Sequence, residues 1–88
     1  MTSMIIEYDL CSPGRNYDAL YETIKSSSVW AHITESTWCI MTKDSCVQVR
    51  DKLKKCMDSN DRLFVAQLTG TAAWSNILCD SDYLKKHL

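Results

Sequence analysis

Residues 4–10 alternate in a way that only a strand with two unlike faces can use. Met4, Ile6, Tyr8 and Leu10 fall on one side of a pleated chain, and Ile5, Glu7 and Asp9 on the other. The first set suits a core. The second is a face that carries two carboxylates. A chain that begins this way has to place something apolar against one side of the strand, and the rest of the sequence supplies it in order.

Cys11-Ser12-Pro13-Gly14-Arg15 has the punctuation of a turn. Asn16 follows as a candidate N-cap, because its side-chain oxygen can accept a free N–H of a first helical turn. Tyr17, Leu20, Tyr21 and Ile24 then recur at i, i+3, i+4 and i+7, the spacing of an amphipathic helix. That helix ends at Ser26-Ser27-Ser28. Val29 to Thr34 and Thr37 to Thr42 are rich in Val, Ile, Thr and Trp, and read as two strands around Glu35-Ser36. Ser45 followed by Gln48 is a capping-box pattern. It opens a second helix with Cys46, Val49, Leu53, Cys56 and Met57 as its apolar stripe. Asp58-Ser59-Asn60-Asp61 has turn composition. Arg62 to Leu68 is the last clear strand, broken by Thr69-Gly70-Thr71.

The order is β-α-β-β-α-β. It predicts an α+β fold, a ferredoxin-like sandwich with both helices on one face of an antiparallel sheet and the other face bare. Residues 1–76 form this domain. Residues 77–88 are a C-terminal tail, with Ile77-Leu78-Cys79 a candidate extra strand on a partner's sheet edge and a short helix starting near Asp80. The chain has 88 residues, enough for one domain with a thin core. A thin core under a half-covered sheet favours a homodimer.

Net charge is −1, which argues against a protein that simply coats nucleic acid. It leaves room for a nuclease, whose acidic metal site offsets its basic groups. No run approaches the roughly 18 apolar residues of a membrane span. The start of the chain has neither a basic region nor a long apolar stretch, so a cytoplasmic protein is expected. The five cysteines, Cys11, Cys39, Cys46, Cys56 and Cys79, are odd in number and widely spaced, and they read as free thiols in or near a core. No Walker A, Rossmann or zinc-ligand motif is present.

Few residues can carry chemistry. Glu7 and Asp9, two apart on one strand, have Cα atoms roughly 6.5–7 Å apart on the same face. Carboxylates so placed can hold Mg²⁺, which takes oxygen ligands. Their ordinary reading is a pair of solvated acids. Arg15, at the helix entry, can bind a phosphate bidentately. Arg50, Lys52, Lys54, Lys55 and Arg62 make either a weak phosphate patch or a solvated face. His32 is a candidate base or a plain hydrogen-bonded strand residue. Ser36 and Thr37 lie near the strand junction without a paired base. Trp30, Trp38 and Trp74 suit a core or an interface better than a base-stacking surface.

Ile5-Ile6-Glu7-Tyr8-Asp9-Leu10 followed by Pro13-Gly14-Arg15-Asn16-Tyr17 resembles the opening of the small SinR-like proteins. Glu35-Ser36-Thr37-Trp38 and Ser59-Asn60-Asp61-Arg62-Leu63 are similar to later segments of that family, so the resemblance spans most of residues 4–76. SinR-like proteins resemble, more distantly, the CRISPR-associated adaptation nucleases and the VapD-type ribonucleases, which are ferredoxin-like homodimers. In the CRISPR-associated family a Tyr-Asp ends the first strand, and its aspartate is a Mg²⁺ ligand at the dimer interface. Tyr8-Asp9 match that pair, and Ser36 with Trp38 resemble its Ser before an aromatic strand residue.

The residues and the resemblance read together point to a Mg²⁺-dependent endonuclease, with RNA favoured over DNA. Asp9 would be the metal ligand, Glu7 a catalytic assistant, and Arg15, Ser36 and Arg62 the substrate-binding groups. Other members of the CRISPR-associated family act as scaffolds. Low net charge and the aromatic content favour the rival reading, a non-catalytic homodimer that binds a protein partner as scaffold, antitoxin or inhibitor.

Overall fold

A computed structural model describes residues 1–88. In chain order the elements are β1 (Thr2–Asp9), α1 (Asp18–Lys25), β2 (Val29–Thr34), β3 (Thr37–Thr42), α2 (Cys46–Lys54), β4 (Arg62–Gln67) and α3 (Ser81–Lys86). The class is α+β, with one four-stranded antiparallel sheet in the order β2-β3-β1-β4. Because both of its neighbours run antiparallel to it, β3 separates β1 from a β2 that runs parallel to β1. In the same way β1 separates β3 from β4.

The alternation in the first strand does what its pattern demands. Met4, Ile6 and Tyr8 are buried, and they share a core with Tyr17, Leu20 and Ile24 of the α1 region and with Val49 and Leu53 of α2. Trp38 and Ile40 reach the same core from β3, in register with Ile6 and Met4. Local signals set the helix ends. Ser45 accepts from the Gln48 N–H, and Gln48 returns the bond to the Ser45 N–H, which completes the capping box. Tyr17, not Asn16, is the N-cap of α1 and makes no side-chain cap bond; Asn16 stands one residue before it and accepts from the Asp18 N–H at 2.8 Å. Gly14 sits at φ 84°, in the left-handed region that a type II turn requires after proline, and the Arg15 N–H closes that turn on the Ser12 carbonyl.

The second face of the sheet was expected to be bare, and it is only partly so. The C-terminal tail folds back over it. Ala31, Cys39 and Leu84 are buried together there, with Ile33, Leu68, Trp74, Ile77, Cys79 and Leu88 packed around them. The Ser3 hydroxyl donates to the His87 carbonyl. The short helix near Asp80 is present, with Asp80 as its cap. Ile77-Leu78-Cys79, expected as a strand on a partner's edge, is irregular instead. Leu78 donates its N–H to the Ile33 carbonyl of the chain's own edge strand at 2.8 Å. β2 is an edge strand, and its register against β3 slips between His32 and Thr34. No helix is long and apolar enough to cross a membrane.

Candidate functional site

The tail leaves one end of the second face open, and β1 ends there. Asp9 is the last residue of β1 and pairs in register with Arg62, the first residue of β4. Their charged groups are 3.9 Å apart, with side chains 65% and 74% exposed, so the ion pair is loose and solvated. Two grooves meet at Asp9. One is lined by Glu7, Tyr8, Asp9, Arg62, Leu63 and Phe64. The other is lined by Tyr8, Asp9, Leu10, Tyr21, Glu35 and Ser36.

Tyr8 and Asp9 are adjacent in sequence but have opposite environments, as strand alternation requires. The Tyr8 hydroxyl accepts from Trp38 Nε1 at 2.9 Å and donates to the Glu35 carbonyl at 3.3 Å. Burial pushes the Tyr8 hydroxyl pKa up, against the opposing bond from Trp38. Tyr8 therefore holds the end of β1 in place and stays neutral, while Asp9 projects into solvent.

Glu7 lies opposite Thr37 on one neighbouring strand and Phe64 on the other. Its Oε1 accepts from the Ser36 hydroxyl at 3.0 Å, and its Oε2 accepts from the Thr37 hydroxyl. Ser36 and Glu7 thus come together as partners of each other. No group of three or more His, Cys, Asp or Glu side chains converges within the chain in a way that could hold a metal ion. Asp9 and Glu35, which line one groove, are the exposed carboxylates at this end.

Arg15 is placed elsewhere. Its guanidinium lies 5.5 Å from the centroid of the Tyr17 ring and close to Asp58 and Asp61. These two aspartates, read from sequence only as turn residues, form a clamp between the β1–α1 and α2–β4 loops. Asp61 Oδ1 accepts from the Cys11 N–H at 2.7 Å and from the Tyr17 hydroxyl at 3.0 Å, and its Oδ2 accepts from the Asp58 N–H at 2.8 Å. Asp58 accepts from the Ser12 hydroxyl and the Ser59 N–H.

Burial alone would raise the Asp61 carboxyl. The N–H groups of Cys11 and Asp58, the Tyr17 hydroxyl and the nearby Arg15 outweigh it and hold the group below the usual carboxylate range. Asp58 is lowered chiefly by the Ser12 hydroxyl. The loops at residues 11–17 and 58–61 are therefore joined across the fold through Cys11, Ser12, Tyr17, Asp58 and Asp61.

His32 stacks on Trp38 with centroids 3.9 Å apart, and its Nε2 lies 3.1 Å from the Glu35 carbonyl oxygen. It meets no carboxylate that would make it a base. Trp38 is buried, Trp74 donates to the Ser81 hydroxyl, and Trp30 lies under the Lys25 ammonium. The aromatic ring left in solvent beside Asp9 is Phe64, 62% exposed. Its signal was available in the strand pattern: Leu63 and Val65 alternate into the core, so Phe64 has to point away from it.

No family model matches this chain, and no solved structure matches it.

Proposed function

We propose that the chain works as a homodimer that cleaves RNA in preference to DNA, with Mg²⁺ held between the Asp9 side chains of two copies. The observation that carries this reading is the pairing of Asp9 with Arg62 at the open end of the sheet. A carboxylate and a guanidinium stand side by side, both largely in solvent, where two grooves meet. Mg²⁺ takes one or two carboxylates and keeps several waters, so one free Asp9 from each copy suits it. The ion, when bound, supplies Lewis acidity at a phosphoryl oxygen.

In this reading Arg62 takes a non-bridging phosphate oxygen through its fork of N–H groups. Glu7, bonded to Ser36 and Thr37, adds negative potential beside Asp9 and orients the strand junction. Arg15 acts through the loop clamp, and its effect on substrate is indirect.

We also infer that the fold is ferredoxin-like. The sheet order read from its other edge is β4-β1-β3-β2, with each βαβ unit split by one strand. The buried residues of both α1 and α2 meet the Met4–Ile6–Tyr8 side of β1. The resemblance to SinR-like proteins supports the same reading.

A second reading, a non-catalytic dimer that docks a protein, is favoured by the exposed Phe64 and by the fully engaged Glu7 carboxylate. One assay separates them: cleavage of labelled single-stranded RNA and duplex DNA with Mg²⁺, by wild type, wild type with chelator, and Asp9→Asn. Cleavage by wild type alone supports the nuclease. Equal cleavage by all three assigns the activity to another source. No cleavage under any metal leaves the docking module as the function.

A further inference from the structure

We propose that Cys39 and Cys79 form a redox-sensitive disulfide that fastens the C-terminal tail to the second face of the sheet. The two residues are far apart in sequence, and the fold places both in one small core. Cys39 is buried on β3, across the β2–β3 register from Ala31, and Leu84 of α3 packs on the same cluster. Cys79 packs against that cluster from the tail. The residue before it, Leu78, is tied to β2 by its N–H bond to the Ile33 carbonyl, which fixes the approach of the tail.

Cys39 and Cys79 thus share one small core, and burial holds both thiols above their usual range. The remaining cysteines lie apart from this cluster. Cys46 and Cys56 pack on the first core, and Cys11 lies in the loop after β1.

The accessibilities set the order of reaction. Cys79 is partly exposed and Cys39 is not. A small disulfide such as oxidised glutathione meets Cys79 first. The Cys79 thiolate attacks one sulfur of the oxidant, forming a mixed disulfide and releasing one glutathione thiolate. The Cys39 thiolate then attacks the Cys79 sulfur, closing the protein disulfide and releasing the second. Two protein thiols are oxidised, one small disulfide is reduced to two thiols, and both protons pass to solvent or to the leaving thiolates. Because burial keeps the thiolate fractions low, closure is slow at neutral pH and the product is shielded from reduction. The bridge closes a loop of about 40 residues, long enough to restrict the open tail substantially.

The test uses the full chain, reduced and then equilibrated with oxidised glutathione. The free-thiol count falls from five to three. Trypsin then yields peptides 26–43 and 63–85 joined by a bond that reductant releases. Amide exchange over residues 74–88 slows on oxidation in the wild type and is unchanged in Cys79→Ser, a partly exposed position that tolerates the change. Pairing of Cys11, Cys46 or Cys56 instead, a bond between two chains, or a glutathione adduct on Cys79 that never resolves onto Cys39 would each overturn the proposal.

Discussion

Two aspartates near the same end of the molecule have opposite duties, and the difference lies in their donors. Asp61 receives three, from two loops, and Asp9 receives none closer than the loose contact with Arg62. The folded carboxyls of Asp58 and Asp61 sit below their unfolded range, so the stabilisation they give is complete above the unfolded pKa of about 3.9. It is lost as the pH falls through their folded values. Acid unfolding of wild type therefore sets in below about pH 4, on the unfolded reference value. Asp61→Asn lowers the denaturation midpoint at pH 7 and brings the mutant and wild-type curves together towards pH 2, which urea titrations at a series of pH values will show.

Phe64 behaves differently, since it is exposed and touches little. Phe64→Ala changes stability by no more than about 0.5 kcal/mol. If a base stacks on it beside Arg62, the same change weakens binding of single-stranded RNA by about 1–3 kcal/mol. Fluorescence anisotropy at fixed salt measures it, and unchanged affinity would remove Phe64 from the site.

At the scale of elements, the strands and α2 follow their own local chemistry, whereas α3 does not. Six residues are too few to hold a helix in water without tertiary support. Its Asp80 cap and the burial of Leu84 against Ala31 and Cys39 keep it folded. Leu84→Ala is expected to cost about 2–5 kcal/mol, the range for emptying a buried leucine site. The loss should concentrate in the tail: amide protection over residues 74–88 falls while that of β1 and β3 persists, because the first core does not include Leu84. Uniform loss of protection would mean that the two cores unfold as one unit.

The whole molecule is a sheet with one core on each side, unequal in size and unequally complete. The larger core accounts for the reading of β1, α1, β3 and α2, while the smaller is made by the tail and leaves the end of the face near Asp9 open. A homodimer across that end is expected to sediment near twice the 10.1 kDa chain mass at micromolar concentration. Its radius of gyration by solution scattering should be clearly above the 12.7 Å of the Cα trace of one chain. Values that match one chain would remove the two-copy metal site with it.

Strand period, helical stripe, capping box and Pro-Gly turn are interactions between residues a few positions apart, so the order of elements and the core side of β1 were legible from sequence alone. So was Asp9 at the end of a strand, pointing away from that core. Tertiary structure alone decided which residues separated by tens of positions would meet. It set Ser36 against Glu7, the Asp58–Asp61 clamp against the loop at Ser12, Cys79 in the core of Cys39, and the tail on the face that pattern alone would have left bare. Those contacts depend on the register and packing of distant segments, for which a periodicity in the chain carries no signal.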